Sequence, residues 1–566
     1  MELLQQDVND VRTLSQWEWR NPLPQGNVLL SSATDDTTLV VVGFFDTILT
    51  STDFGQTWTQ RETGTCASFR KITYSNNTFV AVGEAGVVFT STDSGATWTQ
   101  RTSGTDSCLY DITFGNDTFV AVGDGVIIAS TDYGATWTQI AVQASFYGIT
   151  FGNNTFITVG DYGLIGISKE GIDWSMSSDV TGNALYSITF GNNVFVAVGQ
   201  EGIVCTSKNN GKTWSAKRSA FITDLLGISY TQNTLMAVGE DNCVITSTDI
   251  GVTWKDVAPE SPISFYGVAS SYNTFVIVGS CGAIFTTNDY GESWSLKTSN
   301  IWNQFLGSAI CANNTIIVVG ETGGIFSSGD GGLTWIERIS GVSHTLTSVA
   351  YGNGKLIAVG DPGPILVSNN NGGTWSTLAP SRDYLSKIFF NGNDTFIAVG
   401  INGLIYTSNG TNWLQKTSGS TAYLLGITYG NGTYVVVGED GTLLTSTDLT
   451  TWTKANFETQ NSIMDITYGN GMFVAVGYLG EFYISSDAVT WNIISPVTQG
   501  NFTRIIYDNN VFIAIGYEGI MVTSPNGTNW EPLNSPTYNN LFSIMANNNS
   551  FFATGEGGTI IQCQNT

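Results

Sequence analysis

The sequence predicts an all-β protein made of two tandem seven-bladed β-propellers, with 14 four-stranded blades of about 40 residues each. Three observations lead to this prediction. Short runs of β-branched and aromatic residues alternate with turns rich in Gly, Asn and Asp. The same pattern returns along the whole chain with a period near forty. The chain contains 65 Gly, and 12% of its residues are aromatic, whereas helix-forming stretches are scarce.

Residues 112–139 show one repeat most clearly. The runs ITF, TFVAVG and VIIAS predict three strands, and the turns GND and TDYG separate or follow them. Trp137 then begins a fourth strand. Each repeat therefore predicts one antiparallel meander of four strands.

A glycine closes the second strand of every repeat and marks the period. These glycines, spaced 37 to 41 residues apart, are Gly43, Gly83, Gly123, Gly160, Gly199, Gly239, Gly279, Gly320, Gly360, Gly400, Gly438, Gly477, Gly516 and Gly555. One ring of fourteen blades would leave an axial channel too wide for side chains to fill. Two rings of seven satisfy both the count and the packing.

The predicted organisation is an N-terminal docking segment at residues 1–16, a first propeller at 17–293 and a second at 294–566. The last repeat stops before a fourth strand, and a Trp-containing segment, Trp17 to Trp19, precedes the first repeat. Two closures fit this pattern. Either Trp17 and Trp294 each begin the ring that follows them, or the N-terminal strand completes the last blade at the C-terminus.

The turns after the third strands carry a recurring motif, S-x-D-x-G-x-T-W, as at residues 51–58, 91–98 and 247–254. This motif resembles the BNR or Asp-box repeat of β-propellers. The resemblance implies that the box aspartates are structural and accept hydrogen bonds from their own turns. They are Asp53, Asp93, Asp132, Asp249, Asp289 and Asp330.

Proteins with this repeat include sialidases, xyloglucan-degrading glycosidases built as two seven-bladed rings, sortilin-type receptors and photosystem assembly factors. Their activities differ, so the resemblance implies a fold and leaves the function open. A sialidase needs several convergent arginines, which the scattered Arg residues do not provide. The one histidine, His344, has no nucleophile motif beside it.

Charge and hydropathy exclude several classes. The net charge of −26 and the absence of a Lys/Arg cluster disfavour nucleic acids and anionic membranes. No apolar run reaches membrane-spanning length, and the N-terminal residues do not form a secretory signal peptide. The seven Cys lack metal-ligand spacing and are predicted to be free thiols, with pairing of Cys66 and Cys108 as the alternative.

The predicted binding face lies where the second-to-third-strand loops meet the connections into each first strand. An acidic residue follows the marker glycine in eight repeats. Aromatic residues enter many first strands beside it. The candidate ligand-binding residues are Glu84, Tyr110, Asp124, Tyr147 and Asp161, with Glu321, Asp361 and Tyr384 as their counterparts in the second half. No cofactor is predicted, and Ca²⁺ is the one ion that such a ring of carboxylates would suit.

These observations predict a non-enzymatic attachment scaffold, such as a virion or phage-tail receptor-binding protein at a virion or other extracellular surface. It would bind a surface glycan or receptor protein, and residues 1–16 would dock it to a larger assembly. One alternative is a glycoside hydrolase with a carboxylate pair in a cleft between the propellers, since paired carboxylates perform that hydrolysis. Another is a secreted or periplasmic assembly factor.

Overall fold

The structure is a computed structural model. The residues that it describes are 17–19, 26–35, 37–53, 55–65, 67–177, 180–271, 274–297, 305–310, 314–363, 365–379, 383–455, 459–494, 498, 500–547 and 550–564. Within them, all regular structure is β-strand apart from single 3₁₀ turns. The predicted docking segment at residues 1–16 lies outside the described residues. The chain divides into two compact units: a first unit, Leu23–Asn300, and a second unit, Ile301–Thr566 together with Met1–Pro22.

The described strands form antiparallel sheets in which consecutive strands are neighbours. In the first unit the strands are Leu29–Thr34, Leu39–Gly43, Ile48–Ser51 and Thr59–Arg61; Phe69–Ser75, Thr78–Gly83, Val88–Ser91 and Thr99–Arg101; Leu109–Gly115, Thr118–Ser130, Thr138–Gly152, Thr155–Gly160, Ile165–Ser168 and Ser175–Ser177; Leu185–Gly191, Val194–Gly199, Ile203–Ser207 and Ser215–Arg218; Leu225–Thr231, Thr234–Gly239, Val244–Ser247 and Lys255–Asp256; Phe265–Ser271, Thr274–Gly279, Ile284–Thr287 and Ser295–Leu296.

The second unit repeats the arrangement. Its strands are Phe305–Ile310, Ile316–Gly320, Ile325–Ser328 and Ile336–Arg338; Thr345–Gly352, Lys355–Asp361, Ile365–Ser368 and Ser376–Ala379; Leu385–Phe390, Phe396–Gly400, Leu404–Ser408 and Trp413–Thr417; Leu424–Gly430, Thr433–Gly438, Leu443–Ser446 and Thr453–Lys454; Ile463–Gly469, Met472–Gly477, Phe482–Ser485 and Asn492–Ile494; Phe502–Asp508, Val511–Gly516, Met521–Ser524 and Glu531–Pro532; Leu541–Asn547, Ser550–Gly555, Ile560–Gln564 and Glu18–Trp19.

The described strands make thirteen sheets, twelve with four strands and one with six. The six-stranded sheet holds two repeats, because Thr118–Ser130 and Thr138–Gly152 continue through positions where other repeats have loops. Among the described residues, nine repeats instead carry a 3₁₀ turn after the marker glycine. These turns are Glu84–Gly86, Asp161–Gly163, Gln200–Gly202, Ser280–Gly282, Glu321–Gly323, Ile401–Gly403, Tyr478–Gly480, Tyr517–Gly519 and Glu556–Gly558. The all-β prediction and the four-stranded repeat are therefore confirmed.

Two short strands, one containing Trp19 and the other directly following Trp294, lie at the edges of their sheets. Glu18–Trp19 pairs with the last strand of the chain, with Trp19 opposite Ile561. Ser295–Leu296 pairs with Ile284–Thr287 and completes the last sheet of the first unit. Of the two closures that the sequence allowed, the structure has the one in which the N-terminal strand completes the last sheet. The predicted bounds, 17–293 and 294–566, differ from the two compact units by these strands.

The hydrophobic core lies between successive sheets. A typical cluster contains Val80, Val82 and Val88 of one sheet with Leu109 and Ile112 of the next. In the first unit, Leu29 and Val41 of its first sheet share a cluster with Val278 of its last sheet. In the second unit, Phe305 of the first sheet packs in the same way with Met545 of the last. The first and last sheets of each unit are therefore neighbours.

Strand register places the loops at two ends of each sheet. Leu109 lies opposite Gly123, so the loop from second to third strand is beside the start of the first strand. Phe156 lies opposite Ser168, so the Asp-box turns share the other end with the first hairpin turns. We name the first of these ends the 2–3 face and the other the box face. In the hairpin turns both central residues have positive φ, as at Asn116 (45°) and Asp117 (56°), which explains the recurrent Asn.

Candidate functional site

The box aspartates are bound within their own turns. The Ser91 hydroxyl donates to Asp93 Oδ1 at 2.8 Å and accepts the Gly95 N–H at 3.0 Å. Asp93 also accepts the Thr97 N–H at 2.9 Å and the Thr97 hydroxyl at 2.6 Å. In the other boxes the carboxylate likewise accepts the N–H and the hydroxyl of the Thr or Ser four positions later. These carboxylates are Asp53, Asp132, Asp249, Asp289 and Asp330. At Asp132 the Thr136 hydroxyl and then its N–H lower the pKa to about 2. These carboxylates hold turns together.

We expect Asp93→Ala to lower the free energy of unfolding by on the order of 1 kcal/mol, because turn donors lose their acceptor. The matched control is Asp93→Asn, since two natural boxes already use Asn. At one of them, Asn209 Oδ1 accepts the Thr213 N–H at 2.9 Å and Nδ2 donates to the Thr213 hydroxyl at 2.8 Å. Urea unfolding of the three proteins measures the difference. An Asp93→Ala variant as stable as the original chain would contradict a structural role for the Asp93 side chain.

Tyrosines stand at the start of three successive first strands on the 2–3 face. Each follows a buried residue and sits where the register shifts, between Leu109 and Asp111 for Tyr110 and between Phe146 and Gly148 for Tyr147. Tyr186 occupies the same place in the next repeat. A β-bulge leaves its extra residue unpaired and turns its side chain away from the regular alternation. The bulges therefore present these tyrosines at the 2–3 face.

The three tyrosine rings form a continuous row, which we name the tyrosine row. The centroids of Tyr110 and Tyr147 are 5.2 Å apart with an interplanar angle of 61°. Those of Tyr147 and Tyr186 are 5.8 Å apart at 59°. The first pair is edge-to-face and the second is tilted, and such contacts are favourable for aromatic pairs and hold the rings in fixed relative positions.

Carboxylates surround the tyrosine row. The Tyr147 hydroxyl donates to Asp161 at 2.9 Å, and the Tyr186 hydroxyl to Asp224 at 3.4 Å. Asp124 is exposed and accepts the Ser145 hydroxyl at 2.7 Å. Burial raises the pKa of the Tyr147 hydroxyl, and Asp161 raises it further. The tyrosines therefore stay neutral, and the charge of this surface comes from its carboxylates.

The structure brings Tyr110, Asp124, Tyr147 and Asp161, four of the predicted first-half residues, to this row. Burial raises the pKa of the Tyr110 hydroxyl, and the negative charge of Asp124 is among the effects that raise it further. Asp124 is therefore counted with the row. The fifth, Glu84, is bound to Arg70 at 2.6 Å, and the guanidinium of Arg70 lies 4.7 Å from the centroid of the Phe44 ring. Glu84 therefore enters a neutral pair at the edge of the row.

The predicted second-half residues occupy different positions. Tyr384 precedes the strand Leu385–Phe390 and is not a bulge residue, because the register shift there lies between Leu385 and Lys387. Burial raises the pKa of the Tyr423 hydroxyl. The charge of Asp361 raises that pKa further, and Tyr384 adds a smaller effect in the same direction. Glu321 begins a 3₁₀ turn of the first sheet of that unit. The bulge positions of the second unit hold no tyrosine, so the tyrosine row belongs to the first unit alone.

Sequence reasoning missed two buried charge pairs on the first strands. Lys71 and Asp111 approach to 3.3 Å, and Lys387 and Asp465 to 3.4 Å. Both aspartate side chains are nearly inaccessible, with 5% and 3% exposed. It also missed Asp224, which lies outside the strand pattern. A single charged residue two positions after a buried strand start is the only sequence signal for the pairs.

The remaining candidates give no catalytic or metal arrangement within the described residues. No group of three or more His, Cys, Asp or Glu there is placed to hold a metal ion. His344 is exposed before the strand Thr345–Gly352. Cys108, Cys205 and Cys243 are free thiols, and Cys66 lies outside the described residues. The binding of Ca²⁺ stays a prediction. No helix in the described part of the chain is long and apolar enough to span a membrane.

Comparisons with known proteins support the class of fold. Residues 300–564 match a family model described as photosynthesis system II assembly factor YCF48. No curated protein matches the chain. PorZ, a surface component of the type-IX secretion system of Porphyromonas gingivalis, has a TM-score of 0.68 and 13% identity, covering 97% of this chain and 87% of PorZ.

Two glycosidase structures are similar over their whole length. The GH74 enzyme of Niastella koreensis has a TM-score of 0.63 and 14% identity, covering 98% of this chain and 99% of its own. The GH74 xyloglucanase of Xanthomonas campestris has a TM-score of 0.63 and 11% identity, with 97% and 100% covered. The fold of the chain is thus similar to that of BNR/Asp-box β-propeller proteins, as its turn motif predicted.

Proposed function

We propose that this chain is a non-enzymatic binding scaffold whose partner binds the 2–3 face of the first unit. One observation supports this most directly: the tyrosine row and its carboxylates occupy positions that packing does not require. Other repeats place Arg70 or Leu226 at the same bulge. Beside the row, Tyr162 is 74% exposed. Its φ of 52° is close to the one that this turn also imposes on Ala85 and Glu201 in other repeats.

The proposal includes two rings of seven blades. Seven repeats begin in the first unit at Leu29, Phe69, Leu109, Phe146, Leu185, Leu225 and Phe265. The shared core of the first and last sheets supports closure of that unit. In the second unit, the Ser308 and Ser543 hydroxyl oxygens, 2.8 Å apart, link its first and last sheets. A closed ring leaves only short, protected sheet edges and holds the 2–3 face rigid, which favours binding without large ordering costs.

The partner class follows the chemistry of this face. Fixed aromatic rings beside carboxylates suit a protein segment or a surface glycan. Attachment at a virion, adhesion to a receptor and docking through residues 1–16 stay hypotheses. An assembly factor that holds a protein partner is the second candidate, since the family model on residues 300–564 describes such a factor. A glycoside hydrolase is the enzyme alternative, and here only the fold of the GH74 structures supports it.

We expect the double variant Tyr110→Ala/Tyr147→Ala to lose binding to peptide and glycan arrays while it keeps its fold. Truncation removes two of the three rings of the row, and aromatic side chains contribute strongly at binding surfaces. Array signals, melting temperatures and a reducing-sugar assay on xyloglucan are measured for both proteins.

The control is Tyr429→Ala, which removes a partly exposed tyrosine from the second unit. Array ligands that bind the double variant as well as the original chain would contradict the proposed location. Release of reducing sugars by the original chain would instead show a glycosidase.

A further inference from the structure

Uncompensated negative charge surrounds the tyrosine row. Burial raises the pKa of each tyrosine in the row, and nearby negative charge raises it further. That charge belongs to Asp124 at Tyr110, to Asp161 at Tyr147, and to Asp224 and Glu240 at Tyr186. Within the described residues, none of these four carboxylates forms a salt bridge. Two arginines of neighbouring repeats are engaged elsewhere, Arg70 with Glu84 and Arg218 with Glu201. The row therefore presents four carboxylates without a cation of its own.

These carboxylates keep capacity for further donors. Asp161 Oδ1 accepts one hydroxyl, and Asp224 accepts the Tyr186 hydroxyl and the Glu201 N–H at 2.8 Å. Two carboxylate oxygens together offer about four acceptor sites. Because the donors in place are neutral, each carboxylate retains its charge for a partner.

The tyrosine rings are arranged for cations more than for sugars. A sugar ring packs flat on an aromatic face, whereas these rings are tilted from one another by 61° and 59°. An ammonium or guanidinium group needs only approach to one ring face, within about 6 Å of its centroid, and gains more when a carboxylate lies beside it. Arg70 over Phe44 already shows this combination within the chain, with Glu84 as the carboxylate.

We infer that the partner is a basic protein segment whose Lys or Arg side chains bind between the tyrosine rings and carboxylates of this row. The inference rests on the proposed function and narrows its partner from protein or glycan to protein. Successive tyrosines about 5–6 Å apart match the spacing of alternate side chains in an extended peptide, roughly 6.6 Å. An extended segment thus places alternate basic residues along the row.

The test uses the whole chain and three probes: a ten-residue peptide with Lys or Arg at alternate positions, its Glu counterpart and a xyloglucan oligosaccharide. Fluorescence anisotropy gives Kd for the peptides, and calorimetry gives Kd for the sugar. We expect binding of the basic peptide only, weakening as salt rises because exposed charge pairs are screened.

Variants separate the row from the general negative charge of the chain. The double variant Asp161→Asn/Asp224→Asn is expected to raise the Kd for the basic peptide roughly tenfold, since two charge contacts are lost. The control Asp117→Asn/Asp173→Asn removes the same charge from exposed positions on the box face and is expected to leave Kd unchanged. Asp117 has φ of 56°, which Asn also adopts readily.

Three results would overturn the inference. The first is no binding of the basic peptide to the original chain. The second is an equal loss of binding in both double variants, which would mean attraction to net charge alone. The third is binding of the neutral sugar that Tyr110→Ala/Tyr147→Ala abolishes, and in that case the proposed binding face stands and only the class of partner is wrong.

Discussion

Gly123→Ala is expected to destabilise the first unit by more than about 3 kcal/mol, because a rigid backbone group occupies the space of the new side chain. A Cβ at Gly123 would lie 2.0 Å from the carbonyl oxygen of Cys108. That oxygen accepts the N–H of Asp124 at 3.0 Å. The same close approach occurs at other marker glycines, such as Gly83, Gly160 and Gly400. Urea unfolding measures the loss.

The matched control is Gly182→Ala. A Cβ there meets no atom within 4 Å, and its φ is not in the left-handed region. This variant should keep the stability of the original chain. If Gly123→Ala were as stable as Gly182→Ala, the marker glycines would not be required by the approach of the first strand.

Asp111→Ala is expected to cost about 3–5 kcal/mol, because it leaves a partly buried Lys71 and two backbone donors without their acceptor. Asp111 accepts the Ile112 N–H at 2.8 Å and, across to the next repeat, the Ile149 N–H at 2.9 Å. Burial raises the pKa of this carboxyl, and Lys71 opposes that change. Thermal unfolding with matched urea curves gives the difference.

A double variant separates the charge from the link between repeats. In other repeats a serine accepts the corresponding N–H, as Ser348 does from Ile388 at 3.2 Å. Lys71→Met/Asp111→Ser keeps an acceptor and removes the cation, so its stability is expected to lie close to that of the original chain. A loss as large as that of Asp111→Ala would show that the charge pair itself stabilises the unit.

Much of the fold could be predicted from the sequence because it depends on local chemistry that repeats. Asn in the first hairpin turns takes positive φ, and Asp in the boxes accepts from residues two to four positions away. Such interactions need no knowledge of distant parts of the chain. Repetition of one pattern then predicts the four-stranded sheet, and the Asp-box motif predicts the class of fold.

The candidate site was only partly predictable, because it depends on register and on contacts between repeats. The alternation rule does not show that Tyr110 and Tyr147 are bulge residues. Each bulge lies directly after a pair within one sheet, Leu109 with Gly123 and Phe146 with Gly160, where the register shifts by one residue. Asp224 reaches Tyr186 across 38 residues, and the Lys387–Asp465 pair joins residues 78 apart. Contacts between residues so far apart in the sequence leave no recognisable pattern within a single repeat.

Hydrogen exchange of the whole chain, free and with the basic peptide bound, tests the central claim most directly. We predict slower exchange at the amides of the 2–3 face around Tyr110, Tyr147, Asp161 and Tyr186. The amides of the box turns, such as Gly95 and Thr97, should exchange unchanged. Protection confined to the box turns or to the second unit, with the tyrosine row unaffected, would contradict this assignment of the binding face.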